Sequence, residues 1–132
     1  MNKEKIIEVL KKWNFDSKDY VVVASSSLVL HGIKDTTNDI DISVSDELYN
    51  KLLNDYDCHF VEFDDNGDAI YRIDGEITDE LDFGKTFYLE DKDIIGGIQT
   101  QTLENIIKLK QKLNRDKDIK DIELINKFLI KN

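Results

Sequence analysis

The segment 39–44, with the sequence DIDISV, constrains the fold more than any other part of this chain. Apolar residues at 40, 42 and 44 alternate with polar ones, and a period of two is typical of a β-strand with one buried face. The register that buries the apolar residues brings Asp39 and Asp41 side by side on the opposite face. Two carboxylates that close repel each other, and a bound divalent cation relieves the repulsion. Since 28 of the 132 residues are acidic, a solvated strand edge is the alternative.

The composition indicates one folded domain over residues 1–132. Hydrophobic residues make up 40% of the chain and proline is absent from it, so we expect neither disorder nor a proline-rich linker. A single cysteine, Cys58, excludes an internal disulfide. The net charge of −10 argues against a sequence-independent grip on phosphate backbones over the whole surface. No apolar run reaches about 18 residues, and the first residues are charged and amphipathic. We therefore expect no membrane span, no secretory signal and a cytoplasmic location.

Hydrophobic periodicity predicts an alternating order of helices and strands. We expect helices at 3–13, 46–55, 103–113 and 119–129, a short helix capped by Gly32, and strands at 20–23, 38–44, 58–63, 69–73 and 76–83. The segment 85–89 could extend the sheet or lie across it, and Gly96-Gly97 is expected to be a turn or a flexible point. This order indicates an α+β or α/β fold with a mixed sheet and helices on one face.

Three serines, Ser25 to Ser27, follow the strand at 20–23 and open the short helix. A strand that ends in small residues and turns into a helix leaves backbone N–H groups pointing outwards, and phosphate binds such helix N-termini. The alternative is that a serine simply caps the helix. If the strands at 20–23 and 38–44 are neighbours, the serine turn and the two aspartates face one cleft. Phosphoryl and nucleotidyl transfer use that arrangement.

Transfer chemistry of this kind usually needs a third carboxylate, which the strand at 76–83 offers. Its apolar residues at 77, 81 and 83 are expected to face the core, so Glu80 and Asp82 share the other face. Asp82 lies between two apolar residues late in the strand and is our first choice, with Glu80 as the alternative. Mg²⁺ favours a few carboxylates together with phosphate oxygens, and two such ions would contact the attacking and the leaving oxygen.

Two stretches carry a resemblance to a known family. ASSSLVLHG at 24–32, followed by TNDID at 37–41, resembles the signature of the polymerase-beta-like nucleotidyltransferase superfamily, a small-residue turn, a short helix and Asp-x-Asp on the next strand. The details are most similar to small bacterial members, which include antibiotic nucleotidyltransferases and the nucleotidyltransferases of abortive-infection and toxin–antitoxin systems. The resemblance covers 20–44 well and 76–83 loosely, and the tail at 109–122 resembles a C-terminal segment of those proteins.

The resemblance implies a single nucleotidyltransferase-like domain with an α+β fold, a mixed sheet, helices on one face and two C-terminal helices. It implies Mg²⁺, in two ions, as the cofactor and a nucleoside triphosphate such as ATP as the donor. Ser25 and Ser26 would contact the nucleotide phosphates, and Lys110 or Arg115 would neutralise phosphate charge. Asp39, Asp41 and Asp82 would bind metal, and Asp82 would also help to deprotonate an acceptor hydroxyl. The acceptor stays open between a small molecule, tRNA and a protein.

One departure from the signature supports a second hypothesis. Ala24 stands where the signature has its first glycine, and glycine there allows close approach of a phosphate or unusual backbone angles. The chain could therefore be a nucleotidyltransferase fold kept as a binding or regulatory module without turnover. It could also be one half of a toxin–antitoxin pair, in which the partner protein supplies or receives the nucleotidyl group. The last helix, with apolar residues from Ile119 to Leu129, could close the core or form a homodimer face.

Overall fold

A computed structural model describes residues 1–74, 81–85 and 91–131 of the chain. Its helices are α1 (Lys3–Trp13), α2 (Ala24–Leu30), α3 (Asp46–Asp55), α4 (Leu103–Leu113) and α5 (Asp116–Lys131). Its strands are β1 (Tyr20–Val23), β2 (Ile40–Val44), β3 (Cys58–Phe63), β4 (Ala69–Ile73), β5 (Leu81–Lys85), β6 (Lys92–Ile95) and β7 (Ile98–Gln101).

The seven strands form a single sheet in the order β3-β4-β5-β2-β1-β7-β6. β2 pairs in parallel with β5 and antiparallel with β1, and β1 pairs in parallel with β7. The three remaining pairs, β3 with β4, β4 with β5 and β6 with β7, are antiparallel. The sheet is therefore mixed, and the predicted α+β class with two C-terminal helices is confirmed. The strand predicted to carry two aspartates lies at the centre of the sheet, next to the strand that carries Asp82.

Local sequence explains where the short helix α2 ends. The backbone N–H of Gly32 bonds to Val29 O at 3.0 Å and that of Ile33 to Leu28 O at 2.9 Å, which is the bonding pattern of a Schellman motif. The C-cap is His31, one residue earlier than the predicted Gly32, and Gly32 follows it with a φ of +83°. Glycine adopts that angle without the clash that a Cβ would cause.

The hairpin of β6 and β7 differs from the sequence prediction, which assigned only a turn to this region. Gly96 and Gly97 form that turn with φ of +59° and +82°, and a short strand lies on either side of it. The strand predicted at 76–83 is described only from Leu81, where it runs on to Lys85. The rest of that prediction, with its alternative Glu80, and most of the segment 85–89 lie outside the described residues.

Two apolar clusters hold the fold together. The larger one joins α1, α3 and one face of the sheet, and it includes the buried residues Ile40, Ile42 and Val44 of β2, as the alternation predicts. The smaller one joins α2 to the C-terminal helices through Leu28, Ile106 and Ile125. The C-terminal helices are thus packed beside the serine turn, where they can form one wall of a cleft.

The last helix divides its apolar residues between the core and solvent. Ile125 is fully buried, whereas Ile119 and Leu129 are exposed. The helix therefore contributes to the core, and its role in a dimer stays a prediction. In the part of the chain that the structure describes, no helix combines the length and the apolar character needed to cross a membrane.

Candidate active site

A row of charged side chains crosses the middle of the sheet. Asp41 on β2 is the register partner of Asp82 on β5, and Asp82 is in turn the register partner of Arg72 on β4. On the other side, Asp41 is paired with Val23, the last residue of β1. Neighbouring positions in register point to the same face of a sheet. The paired strands therefore bring two aspartates and one arginine together beside the turn that follows β1.

Asp39 completes a group of three carboxylates. It lies immediately before β2, two residues from Asp41 and so on the same face. Asp39, Asp41 and Asp82 each offer a carboxylate oxygen, and the three oxygens lie within 4.8 Å of one another. Asp82 is buried at 4% exposure, whereas the other two are partly buried. The structure thus brings together all three residues proposed as metal ligands, and their role stays a prediction.

Arg72 is the cation in contact with this group. Its Nε donates to Asp82 Oδ1 at 2.5 Å and its Nη2 to Asp82 Oδ2 at 2.9 Å, so the guanidinium takes both oxygens of that carboxylate. The same Nη2 lies 3.2 Å from Asp39 Oδ2. Two-pronged pairs of arginine and carboxylate combine charge attraction with fixed geometry. Arg72 therefore orients Asp82 and lowers the repulsion within the group.

The surroundings of Asp41 disfavour the ionised form of its carboxyl. Burial raises the pKa of its carboxyl to about 7, the charges of Asp39 and Asp82 add to the increase, and Arg72 opposes it. A carboxyl with such a pKa exchanges its proton near neutral pH. A cation among the three carboxylates would favour the ionised form of Asp41.

The serine turn connects directly to this group. Ser26 is fully buried, and its hydroxyl donates to Val23 O at 2.8 Å and accepts from the backbone N–H of Asp41 at 3.0 Å. Ser27 is also buried, and its Oγ lies 2.6 Å from Thr100 Oγ1. Ser25 is only partly buried and lines the cleft described below. Of the two serines predicted to contact phosphate, Ser25 is the one that a ligand can reach in this arrangement.

Ala24 adopts a backbone conformation that glycine reaches more easily than other residues. Its φ is +58°, in the left-handed region that costs most residues free energy. The turn therefore holds an alanine in a left-handed conformation. Ala24 also differs from glycine by one methyl group, and because this residue is exposed and lines the cleft, a ligand would meet that group.

A cleft of about 1040 Å³ lies over the carboxylates and the serine turn. The part of its lining that comes from the sheet and the β3–β4 turn carries five acidic residues, Asp41, Asp82, Glu62, Asp64 and Asp65, and the basic Lys85 of β5. The other side is formed by α4, α5 and the turn between them, and its basic residues are Lys108, Lys110, Lys112, Arg115 and Lys117. Opposed acidic and basic walls suit a ligand that brings both a cation and phosphate groups.

Buried ion pairs fix the basic wall. Asp118 is fully buried and accepts hydrogen bonds from the backbone N, Nε and Nη2 of Arg115 at 3.1, 2.7 and 3.2 Å. Lys110 Nζ lies 3.5 Å from Asp118 and 2.9 Å from Asp121, which also pairs with Lys34 at 3.2 Å. Lys110 therefore lines the cleft and has two carboxylate partners, and its role towards phosphate stays a prediction.

The comparisons with known proteins bear on the fold. The chain matches no protein-family model and no curated protein sequence. It does match the crystal structure of a Thermotoga maritima protein described as a "putative nucleotidyltransferase", with a TM-score of 0.62 and 17% identity over 100% of this chain and 97% of that one. The two chains share a fold. This likeness supports the sheet of the nucleotidyltransferase type that the resemblance implied, and function must be argued from the residues of the cleft.

The donor set of the cleft fits a hard divalent cation. Mg²⁺ binds carboxylate oxygens and keeps sites open for water and substrate phosphates. The three aspartate oxygens within 4.8 Å of one another supply the carboxylate ligands. The cleft leaves room for water and phosphate oxygens. Burial is the main cause of the raised pKa of Asp41, and the charges of Asp39 and Asp82 add to it, so a bound cation would offset the second contribution.

Arg72 was missed by sequence reasoning, as was the hairpin of β6 and β7, whose last residue Gln101 lines the cleft. A signal for Arg72 does exist. It is one of only two arginines in the chain, and it lies in the strand that precedes the strand of Asp82. A tight hairpin with its turn at Asp74-Gly75 would instead pair Arg72 with residue 77, so the observed pairing of Arg72 with Asp82 does not follow from the order of the two strands.

Proposed function

We propose that this protein is a magnesium-dependent nucleotidyltransferase that moves a nucleoside monophosphate from a nucleoside triphosphate to an acceptor hydroxyl. The observation that carries the proposal is the meeting of Asp39, Asp41 and Asp82 within 4.8 Å of one another, beside a cleft that Asp41 and Asp82 line together with basic residues of α4 and α5. The shared fold with the Thermotoga maritima protein is consistent with it.

Each wall of the cleft has its own task in this proposal. Asp39, Asp41 and Asp82 would hold Mg²⁺, which supplies charge neutralisation at the phosphate that is transferred. Ser25 and the backbone of the turn would contact the phosphates, with Ser26 holding that turn against Asp41. Lys110 and Arg115 would face the charge of the triphosphate. Preorganised donors of this kind stabilise charge that develops in the transition state.

The transfer forms one bond and breaks one bond. The acceptor oxygen bonds to the α-phosphorus, the bond from that phosphorus to the bridging oxygen of the β-phosphate breaks, and pyrophosphate leaves with the electron pair. The proton of the acceptor hydroxyl passes to a carboxylate, for which Asp82 is our first choice. Both oxygens of Asp82 accept hydrogen bonds from Arg72, so this role requires Arg72 to move away.

The acceptor is proposed only by class: a small molecule, tRNA or a protein. The overall charge of −10 favours a cationic small molecule such as an aminoglycoside. The basic residues of α4 and α5 would instead favour a polyanionic acceptor such as tRNA if the donor leaves them free. Membership of an antibiotic-resistance or toxin–antitoxin group depends on this choice.

Binding tests the donor half of the proposal. Isothermal titration of the wild-type protein with Mg²⁺ and a non-hydrolysable ATP, CTP, GTP or UTP analogue should show binding of at least one analogue that requires Mg²⁺. Asp41→Asn should weaken it by about tenfold or more, because a metal ligand is lost. Asp55→Asn is the matched control, since Asp55 is an exposed aspartate at the end of α3. Equal binding by both variants, or none by the wild type, contradicts the proposal.

Transfer itself is tested with labelled nucleoside triphosphates offered with tRNA, protein and aminoglycoside-like acceptors. A labelled acceptor that disappears in Asp41→Asn and persists in Asp55→Asn supports the enzyme. One observation favours the alternative of a binding module without turnover, namely that Arg72 takes both oxygens of Asp82. Nucleotide binding with no labelled product from any acceptor would favour that alternative.

A further inference from the structure

The position of Arg72 among the proposed metal ligands has a consequence for how metal is bound. Its guanidinium lies 2.5 and 2.9 Å from the two oxygens of Asp82 and 3.2 Å from an oxygen of Asp39. Asp82 is 5% exposed at its side chain, so its carboxylate has little water to compensate its charge. A metal ion that uses Asp82 must therefore compete with Arg72 for the same oxygens.

We propose that Arg72 is the resident counter-ion of the three carboxylates and makes divalent-cation binding depend on the nucleotide. This inference rests on the proposed function. The three aspartates would carry a charge of −3 when all are ionised, and Arg72 would reduce it to −2 for an arriving cation. The guanidinium also repels that cation directly at short range. For both reasons, the site has a lower affinity for a metal ion when no nucleotide is present.

A nucleotide changes the balance of this competition. Its phosphate oxygens supply further ligands to the cation, so fewer protein oxygens have to be taken from Arg72. Its negative charge also offsets the repulsion between the cation and the guanidinium. The metal–nucleotide complex is then bound more tightly than metal alone, and the site fills with metal when substrate is present.

A purely structural role makes a different prediction. If Arg72 only held Asp82 in place, its removal would disorder the carboxylates and weaken metal binding with or without nucleotide. If it is a competing counter-ion, its removal strengthens the binding of metal alone. The sign of the change in metal affinity therefore separates the two roles.

The first experiment titrates Mn²⁺, followed by electron paramagnetic resonance, into the wild type, Arg72→Gln, Arg72→Lys and Lys12→Gln. Lys12→Gln removes the same charge from an exposed ion pair with Glu8 on α1. We expect Arg72→Gln to bind Mn²⁺ alone about tenfold or more tightly than the wild type. Arg72→Lys keeps the charge and should change less, and Lys12→Gln should match the wild type. With a non-hydrolysable nucleotide present, the difference in Mn²⁺ affinity between Arg72→Gln and the wild type should be smaller.

The second experiment needs no variant and so does not depend on folding. Both arginines of the chain donate their Nε–H to an aspartate, Arg72 to Asp82 and Arg115 to Asp118. Both signals can be followed in ¹H–¹⁵N spectra of the arginine Nε groups, and the reference state is the protein with nucleotide analogue but without Mg²⁺, because Arg115 faces the triphosphate in the proposed function. Mg²⁺ alone at low millimolar concentration should leave both signals in place, and Mg²⁺ with nucleotide analogue should shift that of Arg72.

Two results would overturn the inference while leaving the proposed function standing. One is metal binding by folded Arg72→Gln that equals or falls below that of the wild type. The other is displacement of the Arg72 signal by Mg²⁺ alone at the concentration that suffices with nucleotide. If no protein binds metal or nucleotide under any condition, the proposed function fails instead.

Discussion

The hydroxyl of Ser26 accepts a hydrogen bond from the backbone N–H of Asp41 at 3.0 Å and donates one to Val23 O at 2.8 Å. One buried side chain thus joins the end of β1 to the beginning of β2. It sets the distance between the turn proposed to contact phosphate and a carboxylate proposed to bind metal. Neighbouring Ser25 lines the cleft instead, so the two serines should have separable roles.

Replacing Ser26 by alanine should destabilise the protein by about 1 to 3 kcal/mol, because a buried backbone N–H loses its acceptor. The change should also weaken metal binding, since Asp41 loses a support. Ser25→Ala should alter the free energy of unfolding by no more than about 0.5 kcal/mol and weaken nucleotide binding. Urea unfolding and titration with Mg²⁺ and nucleotide analogue measure both effects. Similar stability of the two variants would contradict this division of roles.

The raised pKa of Asp41 predicts how stability depends on pH without metal. The folded protein holds a proton on Asp41 up to a pKa of about 7, whereas the ordinary value is 3.8. Between these values the folded state binds more protons than the unfolded state, so the contribution of Asp41 to stability falls as pH rises. Asp41→Asn has no carboxyl at this position, so the fall in stability that comes from ionising Asp41 disappears. Its melting temperature relative to the wild type should therefore be higher at pH 8 than at pH 5, by about 3 to 5 °C for each kcal/mol of difference.

Asp55→Asn provides the control for this measurement, since its melting temperature relative to the wild type should change little between pH 5 and pH 8. A difference between Asp41→Asn and the wild type that is the same at both pH values would refute the assignment of the raised pKa.

The same carboxyl predicts that metal binding releases protons. Divalent cations bind the ionised form, so at pH 6 the binding of the metal–nucleotide complex should displace close to one proton from Asp41. Calorimetry in buffers of different ionisation enthalpy measures that number. The number should fall towards zero at pH 8.5, where Asp41 is already ionised. An equal release at both pH values would mean that another group supplies the proton.

Ala24 offers a test of backbone strain in the turn. With a φ of +58°, alanine pays about 1 kcal/mol that glycine does not, offset in part by the greater freedom of glycine when unfolded. Ala24→Gly should therefore be as stable as the wild type or up to about 1 kcal/mol more stable. Removing the methyl group should also leave nucleotide binding equal or tighter. A less stable Ala24→Gly would show that the turn gains nothing from glycine.

The central part of the fold could be predicted because a buried face fixes the register of a strand. The alternation around Ile40 and Ile42 determines which face Asp41 occupies, and the same reasoning applies to Asp82 on β5. The two residues are register partners because β2 and β5 are neighbours. The resemblance implied their grouping, whereas strand order does not follow from the alternation alone.

Other parts could not be predicted, because polar residues there are buried. Gln99, Thr100 and Gln101 of β7 are buried although periodicity treats such residues as exposed. Thr100 is tolerated because its hydroxyl lies 2.6 Å from that of Ser27, a contact between residues far apart in sequence. Arg72 was missed for a similar reason, since its partners come from two other strands.

Asp118 gives a last prediction, about the basic wall of the cleft. Its buried carboxylate accepts three hydrogen bonds from Arg115 and lies 3.5 Å from Lys110. Hydrogen bonds from Arg115 lower the pKa of Asp118 to about 2, so its stabilising effect is present above pH 4 and is lost as the pH falls to 2.

Asp118→Asn should cost about 2 to 3 kcal/mol of stability at pH 7 and weaken nucleotide binding, because Arg115 and Lys110 lose their support. Asp121→Asn is the matched comparison, since Asp121 pairs with Lys110 and Lys34. It should weaken nucleotide binding less, and wild-type nucleotide affinity in Asp118→Asn would exclude this wall from the donor site.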